Sequence, residues 1–260
     1  MNTGAITGYI DVAQLTLYAF WIFFAGLIWY LRREDKREGY PLDSDRVELS
    51  GGRVRVQGFP AMPAPKTFLL HDGTRVQTPR PDKPEGPIAA KPVFGFPGAA
   101  LQPTGNPMKD GVGPAAYAQR EDIPDTMFDG RPIIVPLRVA TDHGIASRDP
   151  DPRGMKVVAL DGKVAGTIRD VWVDRAEPQI RYLEAELTPG GRPVLLPYGF
   201  VTYDADRRRV KVVSIRSDQF ADVPAIRNPD QVTRLEEDKI CAYYSAGHLY
   251  GTPDRMGPLV

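Results

Sequence analysis

A single membrane-spanning α-helix followed by a mainly-β domain, with a proline- and glycine-rich irregular stretch between them and a helix at the end, is the fold class this sequence predicts. Three observations carry it. Residues 12–31 hold no formal charge, 18 of the 26 prolines fall between Pro41 and Met155, and after Met155 short β-rich runs alternate with turn dipeptides. The divisions that follow are 1–11, a short amino-terminal end; 12–31, the span; 32–154, an extended Pro/Gly-rich segment; 155–227, a β domain; and 228–260, a carboxy-terminal helix and tail.

The apolar stretch, at about 1.5 Å of rise per residue, makes roughly 30 Å of helix, the thickness of a bilayer's hydrocarbon core. A cleavable leader should open on basic residues and end at a small-residue cleavage site. Here residues 1–11 contain no Lys or Arg, and Arg32 follows the span directly. Arg32, Arg33, Lys36 and Arg37 lie just past the span, while the other flank offers only Asp11, so the positive-inside bias places the carboxy-terminal bulk in the cytoplasm. Trp29 and Tyr30 stand where amphipathic rings favour the headgroup layer. The basic cluster is interleaved with Glu34, Asp35 and Glu38. Two readings stay open for it: a solvated helix end with local ion pairs, or a contact with anionic lipid or a neighbouring subunit.

The segment from Pro41 to Met155 keeps no long period of either 2 or 3.6. Yet it carries Phe59, Phe68, Leu69, Leu70, Phe94, Phe96, Tyr117 and Phe128, which a solvated linker would not favour. An extended chain lying against a surface and burying those side chains there accounts for both facts. "PKTFLL" and "HDGTRVQTP" read as two short strands about an Asp-Gly turn. His71 beside it is a surface turn residue before it is a metal ligand.

In the β domain, runs at 156–160, 164–174, 180–187, 192–204 and 209–215 are separated by Asp161-Gly162, Glu177-Pro178, Pro189-Gly190-Gly191 and the residues 204–207. Five strands joined by tight turns predict a small antiparallel barrel or sandwich. Leu183, Ala185 and Leu187 keep one phase, so Glu184 and Glu186 point the other way. Asn228 is a good helix cap, with Pro229 at the first helical position and Asp230 in the first turn. Val232, Leu235, Ile240, Tyr243 and Tyr244 then form a docking face, "EEDK" stays in water, and the helix breaks at Gly247.

Composition excludes several classes. Lys plus Arg and Asp plus Glu both number 33, so no bulk charge points to nucleic acid. A single cysteine, Cys241, excludes an internal disulfide framework and a cysteine zinc cluster. There is no phosphate-binding loop, dinucleotide fingerprint, nucleophile elbow or HExxH, and His71, His143 and His248 are too scattered to suggest a site. The expectation is a non-enzyme that binds no cofactor or metal itself. What remains is a concentration of carboxylates at Asp170, Asp174, Glu177, Glu184 and Glu186, with Arg175 and Arg181 among them. It is either a solvated acidic face or a relay, since clustered, partly buried carboxylates raise one another's pKa and hold protons near neutral pH.

The order of parts resembles a known family. The aromatic span followed by "YLRREDKREGYPL", then "PKTF", "PTGNPMKDGVGPAAYAQR", "VPLRVATD", "DPRGM", "DVWVDRAEPQIRYLE" and "EEDKICAYYSAGHLY" is similar to the H subunit of the photosynthetic reaction centre of purple bacteria, over essentially the whole chain. The resemblance implies a β domain of the PRC-barrel type and a helix packed beside the L and M subunits. In the family those partners carry the bacteriochlorophyll, bacteriopheophytin, quinones and non-haem iron. It implies a chain that caps their cytoplasmic face, stabilises the complex, shields the quinone region from water and helps carry protons to the secondary quinone during its light-driven reduction. The membrane is then the bacterial inner, intracytoplasmic (chromatophore) one, crossed once with the amino terminus periplasmic. Antenna polypeptides and a cytochrome subunit are further candidate partners.

Residue by residue, Asp174 and Glu177 fall where the family has acids of the proton path, and Arg181 where it has a nearby arginine. Some members carry a "DGHGH" type segment whose histidines admit protons and bind inhibitory metal. The comparable place here reads "MFDGRPII", which leaves Asp125 or Asp129 for that role. Near the span the resemblance points to Trp29, Tyr30, Arg32, Arg33, Lys36, Arg37 and Tyr40 as contacts to partner subunits or to an anionic lipid such as cardiolipin. A different class of protein, a membrane-tethered adaptor whose barrel binds a soluble partner, is the alternative, and it predicts purification without pigment.

Overall fold

The computed structural model describes residues 4–40, 42–47, 53–55, 57–79, 88–96, 98–188 and 190–255. Pro189, in one of the expected turns, and the last five residues of the tail lie outside them. The chain divides into two compact units, 1–86 with 95–99, and 87–94 with 100–260.

The first unit opens with α1 (Val12–Asp35), which is capped reciprocally. Asp11 accepts from the Gln14 N–H at 2.8 Å, and the Gln14 side chain accepts from the Asp11 N–H at 3.4 Å. The helix is long and apolar enough to cross a membrane, with a mean hydropathy of 1.7, and none of its residues is buried. It runs on past the apolar stretch through Arg32 to Asp35.

Beyond it lie two hairpins, β1 (Asp43–Val47) with β2 (Arg53–Arg55), and β3 (Lys66–Leu69) with β4 (Arg75–Thr78). The second is the strand pair predicted about Asp72-Gly73. The Thr74 N–H bonds the Asp72 carboxylate at 2.8 Å, and Gly73 takes the positive φ of 82° that the turn requires. The helix end is tied to this hairpin. Lys36, the one buried residue of the basic cluster, donates its ammonium to the carbonyls of Gln57, Gly58 and Pro60, which matches its three N–H donors. Arg37 bonds Glu34 at 2.8 Å and the carbonyls of Ala64 and Thr78 at 2.8 and 3.1 Å, while Lys66 reaches Glu34 at 2.7 Å.

The second unit begins with a short hairpin of β5 (Ala90–Pro92) and β6 (Leu101–Pro103). "NPMKDG" then folds as a single turn, α2 (Pro107–Asp110), with Asn106 accepting from Met108 and Gly111 closing it at φ 68°. Next come β7 (Ile134–Pro136), β8 (Lys156–Val158), β9 (Val164–Asp174), β10 (Gln179–Leu187), β11 (Pro193–Pro197), β12 (Val201–Asp204) and β13 (Arg209–Val212). They form one sheet in the order β11-β10-β9-β8-β13-β12.

The prediction of five antiparallel strands needs two corrections. The run 192–204 is broken by a 3-10 turn at Tyr198–Phe200 into two strands, and β13 pairs β8 in parallel. The sheet is not closed. β7, from the stretch expected to be irregular, adds to the far half of the β9 edge that β8 uses at its start, with Ile134 opposite Asp174.

The core lies between this curved sheet and α3 (Arg234–Tyr250), and is made of Trp172, Leu183, Leu196, Val210, Ile215, Ile240 and Tyr244, all 0% exposed. The helix does not start at Asn228. Asn228 instead closes a turn onto the Asp230 N–H at 2.9 Å, and the cap is Thr233 in a box with Glu236, which satisfies two end donors at once. Nor does Gly247 end it. A Cβ there would sit 2.5 Å from the Ser214 carbonyl, so this glycine is what lets α3 close onto the sheet.

Candidate functional site

The β9–β10 turn is built around Asp174. Buried at the strand end, its carboxylate accepts the backbone N–H groups of Ala176 at 2.9 Å and Glu177 at 3.0 Å, which fixes the tight reversal. Glu177 is exposed beside it, accepting from the Gln179 amide at 3.2 Å, and Arg181 is exposed two residues further on. β7 and the loop before it are bonded to the same turn. The Arg175 N–H donates to the Ile133 carbonyl at 3.0 Å, its guanidinium to that of Pro132, and the Ile133 N–H to the Asp125 carbonyl at 2.9 Å. Asp125 and Asp129, some fifty residues away in sequence, are thereby carried to the edge of the Asp174 turn.

These acids differ in state. Asp125 pairs with Arg234 at 2.7 Å, and that guanidinium holds its carboxyl below the usual carboxylate range. Asp129, at an exposed loop tip, is lowered by the backbone N–H of Arg131 at 3.0 Å and by the Arg131 guanidinium at 2.7 Å. Glu237 on α3 goes the other way. Burial raises its carboxyl pKa, although the Tyr182 hydroxyl donates to it at 2.8 Å and Arg181 and Arg120 act to lower it. The Cys241 thiol, 4.0 Å from that hydroxyl, is also pushed up by burial.

Sequence reasoning missed Glu237, because "EEDK" was expected in water. Instead Glu236 is buried, bonding the Thr233 and Arg227 N–H groups at 2.9 and 2.8 Å, and Glu237 is half-buried. The missed signal is spacing. Glu237 stands three and four residues before Ile240 and Cys241, on the border of the apolar stripe.

The carboxylate concentration of β9 and β10 does not form one cluster. Asp170 and Glu184 face each other directly across the strands, an arrangement that would repel. One Nη of Arg138 bridges them at 2.9 and 2.7 Å, and the Trp172 indole donates to Glu184 at 2.9 Å. Arg138 also reaches Asp230 at 3.1 Å and the Pro229 carbonyl. Glu186 stays exposed, so the shared phase of Glu184 and Glu186 does not give them a shared environment.

At the span's end, Trp29 carries the Arg33 guanidinium 5.4 Å from its ring centroid, Tyr30 is half-exposed, and Arg32 lies 3.9 Å from Asp35 with both exposed. Tyr40 lies under the Lys36 ammonium at 5.4 Å. Lys36 and Arg37 are engaged by the chain's own carbonyls, while Arg32 and Arg33 point outward with less to hold them. Among the described residues no group of three His, Cys, Asp or Glu comes together as metal ligands.

Two family models match the chain. One, for the PRC-barrel domain, covers residues 145–219, the stretch that supplies β8 to β13. The other, for the photosynthetic reaction centre H-chain N-terminal region, covers residues 4–139, more than half of the chain, and takes in α1, its tied collar and β7. With a span-forming helix at one end and that barrel at the other, the chain belongs to the photosynthetic reaction centre H-chain family, the non-pigment structural subunit of that membrane complex.

Proposed function

We propose that the chain caps the cytoplasmic face of the L and M subunits, stabilises their assembly and delivers protons toward the secondary quinone that the partners hold. One observation carries the proton role. The ladder of β7 on β9 brings the loop that carries Asp125 and Asp129 to the turn that holds Asp174 and Glu177, with Arg181 on the strand that follows. Protons enter at the exposed Asp129 or the half-buried Asp125, both ionised, and pass by water to Glu177, while Asp174 holds the turn in shape and Arg181 keeps the acids from repelling one another. Glu237 extends the set inward with a carboxyl that burial keeps protonated to higher pH. The chain supplies carboxylates and water exclusion; the electrons, and the pigments, quinones and iron that carry them, belong to the partners.

The membrane reading places α1 beside the partners' helices with its amino terminus periplasmic. Trp29, Tyr30, Arg32 and Arg33 meet a neighbouring subunit or an anionic lipid such as cardiolipin, and Lys36, Arg37 and Tyr40 hold the collar rigid behind them. Antenna polypeptides and a cytochrome subunit are the remaining neighbours in this reading. The divisions 1–11, 12–31, 32–154, 155–227 and 228–260 serve it as outside end, anchor, cap, barrel and docking helix.

Glu177→Gln in the intact complex tests the proton role, with proton uptake timed after the second of two flashes. We expect several-fold slower uptake with unchanged pigment absorption. Unchanged kinetics from acid to alkaline pH would remove Glu177 from the path.

A further inference from the structure

Behind the Arg138 knot the second unit holds a cavity of about 360 Å³, within the range of small-molecule pockets. Four arginines line it, Arg138, Arg169, Arg192 and Arg227, against two acids, Glu184 and Asp230. Two of the four are neutralised. Arg138 is held by Asp170, Glu184 and Asp230, and Arg227 pairs with Asp122 at 2.6 Å.

The other two keep N–H donors to spare. Arg169 makes one long ion pair, 3.6 Å to the Glu184 Oε1, while Arg138 and Trp172 bond the other oxygen, and its remaining N–H donors have no partner among the described residues. Arg192 donates to the carbonyls of Ala221 and Val223, which leave its charge uncompensated, and it has no ion pair among the described residues. Two arginines with unused N–H donors line one partly enclosed cavity, and planar forks of this kind match phosphate oxygens. Val194, Leu195 and Ile226 give the same cavity an apolar wall.

We propose that this cavity binds a small phosphate ester, its oxygens received by Arg169 and Arg192 and its carbon portion lying on Val194, Leu195 and Ile226. The same chemistry is offered by a soluble monoester and by a phospholipid headgroup, and the experiment separates them.

Glycerol 3-phosphate is titrated into the detergent-solubilised intact complex and followed by phosphorus NMR. Saturable binding at or below about 1 mM is expected. Arg169→Gln, at an exposed position that leaves folding intact, weakens it about tenfold, as loss of a charge-assisted bond does, and Arg169→Gln with Arg192→Gln abolishes it. Glu177→Gln leaves it unchanged, which keeps this site separate from proton delivery. Competition by phosphatidylglycerol nanodiscs, and none by phosphatidylcholine ones, assigns the site to a headgroup; no competition by either assigns it to a soluble ester. The proposal is overturned by non-saturating binding, by equal competition from chloride, by an Arg169→Gln complex that binds like the parent, or by binding to the isolated full-length chain that disappears in the complex.

Discussion

The middle of the β9–β10 pair and its turn end carry the same residue types and hold them in opposite ways. At Asp170 and Glu184 the carboxylates are buried, face to face, and closed by one arginine and one indole. At Asp174, Glu177, Asp125 and Glu237 they are spread over a turn, a loop and a helix, with each held by different partners and several open to water. An acid pair pinned by a shared guanidinium and an indole leaves little room for a travelling proton. A set with unequal environments has a gradient along which one can move. The difference teaches that equal acidic density in a sequence can fold into a closed pair or an open set, and only the open set suits the proposed relay.

The comparison can be broken hardest at the closed pair. Arg138→Met leaves two buried carboxylates facing each other, and we expect a loss of about 3 kcal/mol in denaturant unfolding of the detergent-solubilised chain. A loss below about 1 kcal/mol would mean that the knot is no tighter than a surface pair.

The open end is tested through pH. Glu237 has a folded pKa raised above its usual 4.5, so the native state binds the extra proton between those values. Its contribution to stability is full below 4.5 and is lost as pH rises through the folded value. Glu237→Gln should flatten that decline. Asp125, lowered from 3.8 by Arg234, must slope the other way: its contribution is present above 3.8 and lost as pH falls through the folded value. Parallel pH profiles for Glu237→Gln and Asp125→Asn would erase the contrast. Tyr182→Phe removes one hydrogen bond from Glu237 and should cost about 1 kcal/mol by thermal unfolding. Asp129→Asn, at an exposed tip, should move stability by less than about 0.5 kcal/mol, so any slowing of proton uptake it causes reads as function.

The parts that were legible in the sequence are those with local causes. The apolar run, the Asp72-Gly73 hairpin and most barrel strands follow from charge, periodicity and turn residues within a few positions of one another. Long-range pairings leave no such mark. Nothing in "PIIVPL" announces that Ile134 will lie opposite Asp174, and nothing in "RVKV" announces a parallel partner fifty residues back. Asn228 and Gly247 were misread for a related reason. Each is a plausible helix boundary by type, but Thr233 with Glu236 offers two bonds where Asn228 offers one, and the absent Cβ of Gly247 serves packing and not termination. At the site, Asp174 is legible as a member of the acid concentration, whereas the state of Glu237 depends on its burial and on Tyr182, a residue of another element.

The seat of β7 on β9 carries a consequence for how such a protein could be taken apart or inherited. A family boundary falls between residues 139 and 145, yet β9 uses one edge for strands from both sides of it. A gene fragment encoding only the barrel would be born with the groups that Val171 to Asp174 turn toward β7 unpaired, a template for the next copy to add to. The two sequence modules are therefore not interchangeable parts: grafting a foreign anchor onto this barrel would have to bring its own β7.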